Sequence, residues 1–288
     1  MTEVGTLHRL QNWLKAYRLE VGILILGFGA LNLIFLAKAF RATNTVEFTT
    51  LKSQRKAYQL QSFENKYFEL LKMHRENVAE LEIQGTTGRK IFVLLIRELR
   101  SLLDIVKSVA TEKNQTLTQR QRMHIAYYCL FFGTGPNSSR MLRQSLSNFN
   151  PGFIDAVEEE INKPEVKRQA QESKKLIFVP FEGHQSRLGH YYRHLYQAVR
   201  YVDQQTLDID KYEYTKTIRA QLTTHEQALL LLNSLTPIGQ DWWAKDFIFT
   251  YRMVQNLPEH FFNPATELDL STIFVPGYFE WEDAKSAT

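Results

Sequence analysis

Residues 21–37 read VGILILGFGALNLIFLA, a run of 17 residues without a charge. Basic and acidic side chains stand on both sides of this run. A helix rises about 1.5 Å per residue, so a helix over residues 21–40 spans about 30 Å, the thickness of the hydrocarbon core of a bilayer. We therefore predict a transmembrane helix over residues 21–40.

Two alternatives compete with this anchor. The core of a signal peptide has about 7–15 apolar residues, fewer than this run, and a polar segment of 20 residues precedes the run here. A buried core helix is the second alternative. However, a helix that is apolar on every face and contains Gly22, Gly27 and Gly29 suits lipid better than a small soluble core. The pattern favours the anchor.

The basic residues around the run predict its orientation. Three precede it, and five follow it within about 20 residues, up to Lys56. The positive-inside rule therefore favours a cytoplasmic C-terminal domain. The single cysteine, Cys129, has no intramolecular disulfide partner, in agreement with a reducing compartment.

The net charge of +4 is concentrated near the membrane. Residues 1–62 contain eight basic and three acidic residues, whereas the rest contains 27 basic and 28 acidic residues. Basic side chains beside the span are expected to meet anionic lipid headgroups, so the lipid bilayer is a predicted partner. The near-neutral remainder does not support a nucleic-acid-binding surface.

The chain beyond the anchor is typical of an all-α protein. Apolar residues recur three and four positions apart, the helical period, and glycines and prolines separate the segments. We predict a single N-terminal transmembrane helix followed by a cytoplasmic multi-helix bundle. The predicted helices cover residues 63–83, 91–109, 124–132, 153–161, 188–202 and 209–235.

Composition predicts five regions along the chain. The last region, the C-terminal tail at residues 263–288, contains acidic and aromatic residues. This tail either packs on the helical domain or docks a partner, and packing is favoured. The regions are a polar N-terminal tail (1–20), the transmembrane helix (21–40), a juxtamembrane helical stalk (41–62), a helical domain (63–262) and the C-terminal tail (263–288).

Histidines and arginines are concentrated on the predicted helix 188–202. A helical wheel separates an apolar stripe from a polar face, which is either a solvated surface, the favoured interpretation, or the lining of a cleft. The stripe contains Leu188, Tyr192, Leu195, Val199 and Val202. The opposite face contains Arg187, His190, Arg193, His194, Gln197 and Arg200.

The polar face supplies the candidate catalytic residues Arg187, His190, Arg193 and His194. Two imidazoles one helical turn apart, as at His190 and His194, suit a metal ion, but the third ligand would have to come from elsewhere, such as His184, His225 or a carboxylate. Cysteine pairs and a His-Glu-x-x-His pattern are absent. We therefore expect neither a metal site nor another cofactor.

A ribonuclease is the alternative hypothesis. Arg187 and His194 lie seven positions apart, on one helix face, and resemble the Arg/His motif of HEPN-type ribonucleases. In that motif the guanidinium binds phosphate and the histidine acts on the 2′-hydroxyl, without a metal. Arg219 and His225 also match, but they point about 120° apart. Nucleic acid is a partner only under this hypothesis, and enzymatic activity is left open, leaning towards none.

A second polar line lies on the predicted helix 209–235. Arg219, Glu226 and Asn233 follow one another at intervals of seven between leucines. Polar groups on an apolar helix need partners, so this line predicts a buried polar network or, alternatively, a cleft.

Several segments together resemble the phage abortive infection family, the AbiC-like proteins. They are FENKYFELLKMH at 63–74, Gly88-Arg89, GHYYRHLY at 189–196, RAQLTTHE at 219–226 and Asn233. The resemblance covers about residues 60–240 and adds Glu64, His74 and Arg89 to the binding or buried-network candidates. Family members often carry two N-terminal hydrophobic segments, whereas this chain has one.

The resemblance implies antiphage defence by abortive infection, at the inner membrane of a bacterium, without a mechanism. Our leading hypothesis is an anchored protein whose helical domain senses or binds a phage-linked signal and causes growth arrest or membrane perturbation. Its expected partners are a phage-derived or co-encoded protein and a second copy of the chain. The span has no Gly-x-x-x-Gly motif.

Overall fold

The computed structural model describes residues 3–135 and 138–282. Helices comprise 71% of the chain, so the predicted all-α class is confirmed. The chain forms two compact units, Met1–Glu64 and Asn65–Thr288.

Within the described residues, the regular elements are helices apart from one short hairpin. The α-helices are α1 (Glu3–Ala79), α2 (Lys90–Glu112), α3 (Gln119–Phe132), α4 (Ser139–Ser145), α5 (Pro151–Asn162), α6 (Pro164–Lys174), α7 (Gln185–Asp203), α8 (Lys211–Arg219), α9 (Thr224–Ser234), α10 (Asp241–Ala244) and α11 (Phe247–Thr250). Strands β1 (Glu82–Ile83) and β2 (Thr86–Thr87) pair antiparallel, and Pro237–Gly239 and Leu270–Thr272 are 3₁₀ turns.

Helix α1 includes the apolar run. Its 77 residues contain no proline, so the backbone hydrogen-bond ladder is not interrupted. The N-terminal tail is helical from Glu3, and residues 41–62 are helical throughout. Among the described residues, α1 is the one helix long and apolar enough to cross a membrane, and the large side chains of the run are exposed, up to 74% at Leu26.

Helix α2 is the centre of the second unit. It packs against α3, α5, α6 and α9, and aliphatic side chains along it, such as Leu95, Leu99, Leu102 and Val106, are buried. Apolar burial of this extent is the main stabilising contribution to the unit.

The predicted single helix over residues 209–235 is wrong, because α8 ends at Arg219 and α9 begins at Thr224. Thr223 accepts a hydrogen bond from Glu226 N, and the Glu226 side chain accepts one from Thr223 N. This capping box starts a new helix. The predicted helix 63–83 is also too long at its end, because α1 stops at Ala79 and the hairpin turns at Gly85 with φ +82°. Helices α4 and α6 were not predicted.

The C-terminal tail packs on the second unit as far as it is described. Tyr278 donates to Ile248 O at 2.7 Å, and Trp281 Nε1 donates to Leu257 O at 3.1 Å. Phe274 and Phe279 are buried beside them. Of the alternatives for this tail, packing is therefore the one that is observed up to residue 282.

Candidate functional site

Helix α7 buries the predicted apolar stripe. Leu188, Tyr192, Leu195, Val199 and Val202 are all buried, as the helical wheel predicts. The Tyr192 hydroxyl donates to Leu229 O at 3.1 Å, which joins the stripe to α9. This face fixes the position of the polar face opposite.

Most of the predicted polar face is accessible. His190 and Arg193 are exposed, and Arg193 Nε donates to Gly189 O of its own helix at 3.1 Å. Arg187 is half-buried, and its Nε donates to Glu82 O at 2.9 Å. The contact with Glu82 ties the start of α7 to the hairpin.

His194 departs from the predicted polar face. Both of its ring nitrogens are buried and bond to no other described residue. Its ring lies 6.3 Å from the ring of His74, with 22° between the ring planes. Burial lowers the pKa of His194, and His190 contributes further.

His74 is 3% exposed, and both of its ring nitrogens also lack a partner among the described residues. Its pKa is lowered to about 4, mainly by burial and additionally by the neighbouring His194 and Arg89. The ring of Tyr191 lies 5.4 Å away. The two imidazoles are thus uncharged at neutral pH.

Tyr191 connects the imidazoles to a buried carboxylate. Glu226 has no exposed surface, and its Oε1 accepts from the Tyr191 hydroxyl at 3.2 Å. Its Oε2 accepts from N and Oγ1 of Thr223 at 2.7 and 2.6 Å, and Arg89 Nε lies 3.9 Å away. Three of the candidate network residues, His74, Arg89 and Glu226, therefore meet at one place.

The remaining network candidates lie elsewhere, so the predicted polar line does not exist as one helix face. Arg219 is at the end of α8 and donates to Tyr251 O at 2.9 Å and Arg252 O at 3.2 Å. Asn233 donates to the Tyr127 hydroxyl at 3.0 Å. Glu64 is half-buried on α1, at the end of the first unit.

His190 and His194, whose spacing would suit a metal ion, do not form a pair of ligands. His190 is exposed, whereas the nitrogens of His194 are buried. Of the other candidate ligands, His184 bonds to Glu98 Oε2 at 2.7 Å, and the ring of His225 contacts Phe261. Within residues 3–135 and 138–282, no group of three or more His, Cys, Asp or Glu residues is arranged to hold a metal ion.

The catalytic candidates are separated in the same way. Arg187 and His194 share a side of α7, but the imidazole nitrogens that would act on a hydroxyl are covered. Arg219 and His225 lie on different helices. The Arg/His geometry of the ribonuclease hypothesis is therefore not assembled at an accessible surface in this structure.

A cleft of about 420 Å³ lies between the end of α1, the hairpin and the start of α7. Its lining mixes charged, polar and aromatic side chains. They are Asn77, Glu80, Leu81, Glu82, Ser186, Arg187, His190 and Tyr191. Two of the catalytic candidates, Arg187 and His190, thus line one cleft.

A buried pair of a carboxylate and an imidazole, Glu98 and His184, is not among the predicted site residues. Glu98 has no exposed surface, accepts from Phe181 N at 2.6 Å and contacts His184 Nε2 at 2.7 Å. This pair holds the loop before α7, which passes so close to α3 that a Cβ on Gly133 would lie 2.5 Å from Glu182 O. The feature of the sequence that could have indicated this pair is the lone carboxylate of Glu98 on the apolar face of α2.

Residues 183–262 match a family model described as "Putative phage abortive infection protein". The predicted AbiC-like resemblance is confirmed over that segment. The AbiC-like segment contains α7, α8 and α9, and hence Tyr191, His194 and Glu226 of the buried cluster. No curated protein and no solved structure matches the chain significantly.

Proposed function

We propose that this protein is a membrane-anchored abortive infection protein whose helical domain senses a phage-linked signal and then halts growth or perturbs the membrane. One observation carries the proposal: the chain joins an AbiC-like segment to a helix with an exposed apolar run. The match associates the chain with phage abortive infection, and the run supplies the means of anchoring.

Anchoring rests on the cost of leaving the run in water. Its large apolar side chains, Leu24, Leu31 and Phe35 among them, are exposed. Each would contribute about 1.5–3 kcal/mol if it were removed from water, so lipid is the natural environment. The greater number of basic residues after the run supports a cytoplasmic location of the second unit, at the inner membrane.

Sensing rests on the second unit. Its cleft and the adjacent cluster of His74, His194 and Glu226 bring polar groups from separate helices to one place. A phage-derived or co-encoded protein, or a second copy of the chain, would transmit the signal. A ligand that binds beside the polar cluster would change the packing of α1 against α7.

Phage challenge of cells that express span variants tests the proposal. Deletion of residues 21–40 is expected to abolish protection, because the protein leaves the membrane. Replacement of the span by an unrelated apolar helix is the matched control: it keeps the location and removes protection only if the native span itself perturbs the membrane. Full protection by the deletion variant would contradict the proposal.

The order of events in infected cells tests the effector step. We expect the membrane potential to fall, or growth to stop, while cellular RNA is still intact. Membrane-potential dyes and RNA gels on the same culture measure both. Early RNA loss that disappears with alanine at His190 and His194 would contradict the proposal and favour the ribonuclease hypothesis.

A further inference from the structure

The cleft beside α7 has the size and the chemistry of a small-molecule site. Its volume of about 420 Å³ lies within the range of about 300–1,000 Å³ that is usual for ligand pockets. We infer that it binds a free ribonucleotide, with Arg187 on the phosphate and Asn77 on the base. This inference rests on the proposed function and names the chemical class of its signal.

Arg187 is the cation in the lining of the cleft. Its Nε is held by Glu82 O at 2.9 Å, which fixes one edge of the guanidinium. The remaining N–H groups of a fixed guanidinium bind a phosphate through two parallel hydrogen bonds. The phosphate therefore belongs at the α7 end of the cleft.

Asn77 supplies a donor that lacks a partner. Its Nδ2 is buried and bonds to no other described residue. A buried donor without a partner is unfavourable, so a ligand acceptor here is favoured. The imidazole of His190 is exposed in the same lining and offers a flat surface to a planar base.

Two carboxylates in the cleft are complementary to the ribose of a nucleotide. Glu80 and Glu82 are exposed in the lining and accept hydrogen bonds from hydroxyl groups. An acidic side chain binds the ribose hydroxyls in the same way in dinucleotide sites. A simple inorganic anion would meet these carboxylates unfavourably, whereas a nucleotide presents hydroxyls to them and its phosphate to Arg187.

The site also connects to the buried cluster. Tyr191 lines the cleft, contacts the ring of His74 and donates to Glu226. A ligand that moves Tyr191 therefore changes the contacts of His74 on α1 and Glu226 on α9. Binding in the cleft thus reaches the helix that continues into the apolar run.

Calorimetry on the full-length chain in detergent tests the inference with the four ribonucleoside 5′-monophosphates and the matching nucleosides. We expect at least one monophosphate to bind. Arg187→Gln should weaken its binding about tenfold or more and leave the nucleoside unaffected, since only the phosphate contact is lost. Arg200→Gln is the matched control, exposed on the same helix and outside the lining, and should change neither affinity.

Asn77→Leu separates binding from folding. It removes the unpartnered donor, so the thermal midpoint should stay equal or rise while the monophosphate and the nucleoside both bind more weakly. The inference is overturned if no monophosphate binds at millimolar concentration, if both arginine variants behave alike, or if an RNA oligonucleotide binds better than the monophosphate. Protection against phage by a chain that binds no nucleotide would overturn this inference and leave the proposed function intact.

Discussion

Glu98 is a carboxylate without exposed surface, and its two partners come from one loop. Glu98→Ala leaves Phe181 N and His184 without their acceptor in the interior. We expect a loss of about 3–5 kcal/mol in the free energy of unfolding, measured by chemical denaturation in detergent. Asp104→Ala, an exposed change on the same helix, is the control, with a loss of about 0–1 kcal/mol. Equal losses would refute the structural role of Glu98.

The lowered pKa of His74 predicts how the free energy of unfolding depends on pH. Its pKa is lowered from 6.5 to about 4, so the unfolded chain binds a proton at a higher pH than the folded chain does. Its contribution to stability is therefore complete above about pH 6.5 and is lost as the pH falls towards 4, by up to about 3 kcal/mol.

Thermal unfolding between pH 7.5 and 5 measures this dependence. His74→Leu should reduce the fall in the midpoint, because the titrating group is gone, and it should not destabilise the chain at pH 7.5. His190→Gln, an exposed change, should keep the wild-type dependence. An unchanged dependence in His74→Leu would show that other groups cause it.

At the scale of elements, the break between α8 and α9 depends on one capping box. Thr223→Ala removes the hydrogen bond that Oγ1 accepts from Glu226 N and the one that Oγ1 donates to Glu226 Oε2. We expect a loss of about 1 kcal/mol in the free energy of unfolding. Thr224→Ala, one position later and inside α9, is the control and should lose less. A larger loss at Thr224 would argue against the cap.

The same break shows why one element was mispredicted. Apolar residues continue at helical spacing through residues 218–222, and periodicity alone therefore predicts one helix over 209–235. The sequence Thr223-Thr224-His225-Glu226 carries the capping-box signature, which marks the start of a new helix within that pattern. A local signal thus overrides a longer-range pattern when its hydrogen bonds satisfy the helix end.

At the scale of the whole molecule, membrane insertion depends on residues 21–40. Leu31→Arg puts a charge near the middle of the run and should raise the free energy of insertion by about 2.5–3.5 kcal/mol. Val46→Arg, an exposed change on the same helix beyond the run, is the control and should leave insertion unchanged. Fractionation and glycosylation mapping measure both variants. Equal insertion of both would contradict the predicted span.

The sequence by itself determined the helical class, the apolar run and the buried stripe of α7, because each is a periodic or compositional signal within one segment. Only the tertiary structure decided which polar residues meet. It joined His74 of α1 to His194 of α7 and Glu226 of α9, and it moved Arg219 and Asn233 to separate sites. The physical reason is that the packing of separate helices decides which polar groups become neighbours, as Tyr191 and Glu226 do, and sequence spacing within one helix does not specify that neighbour.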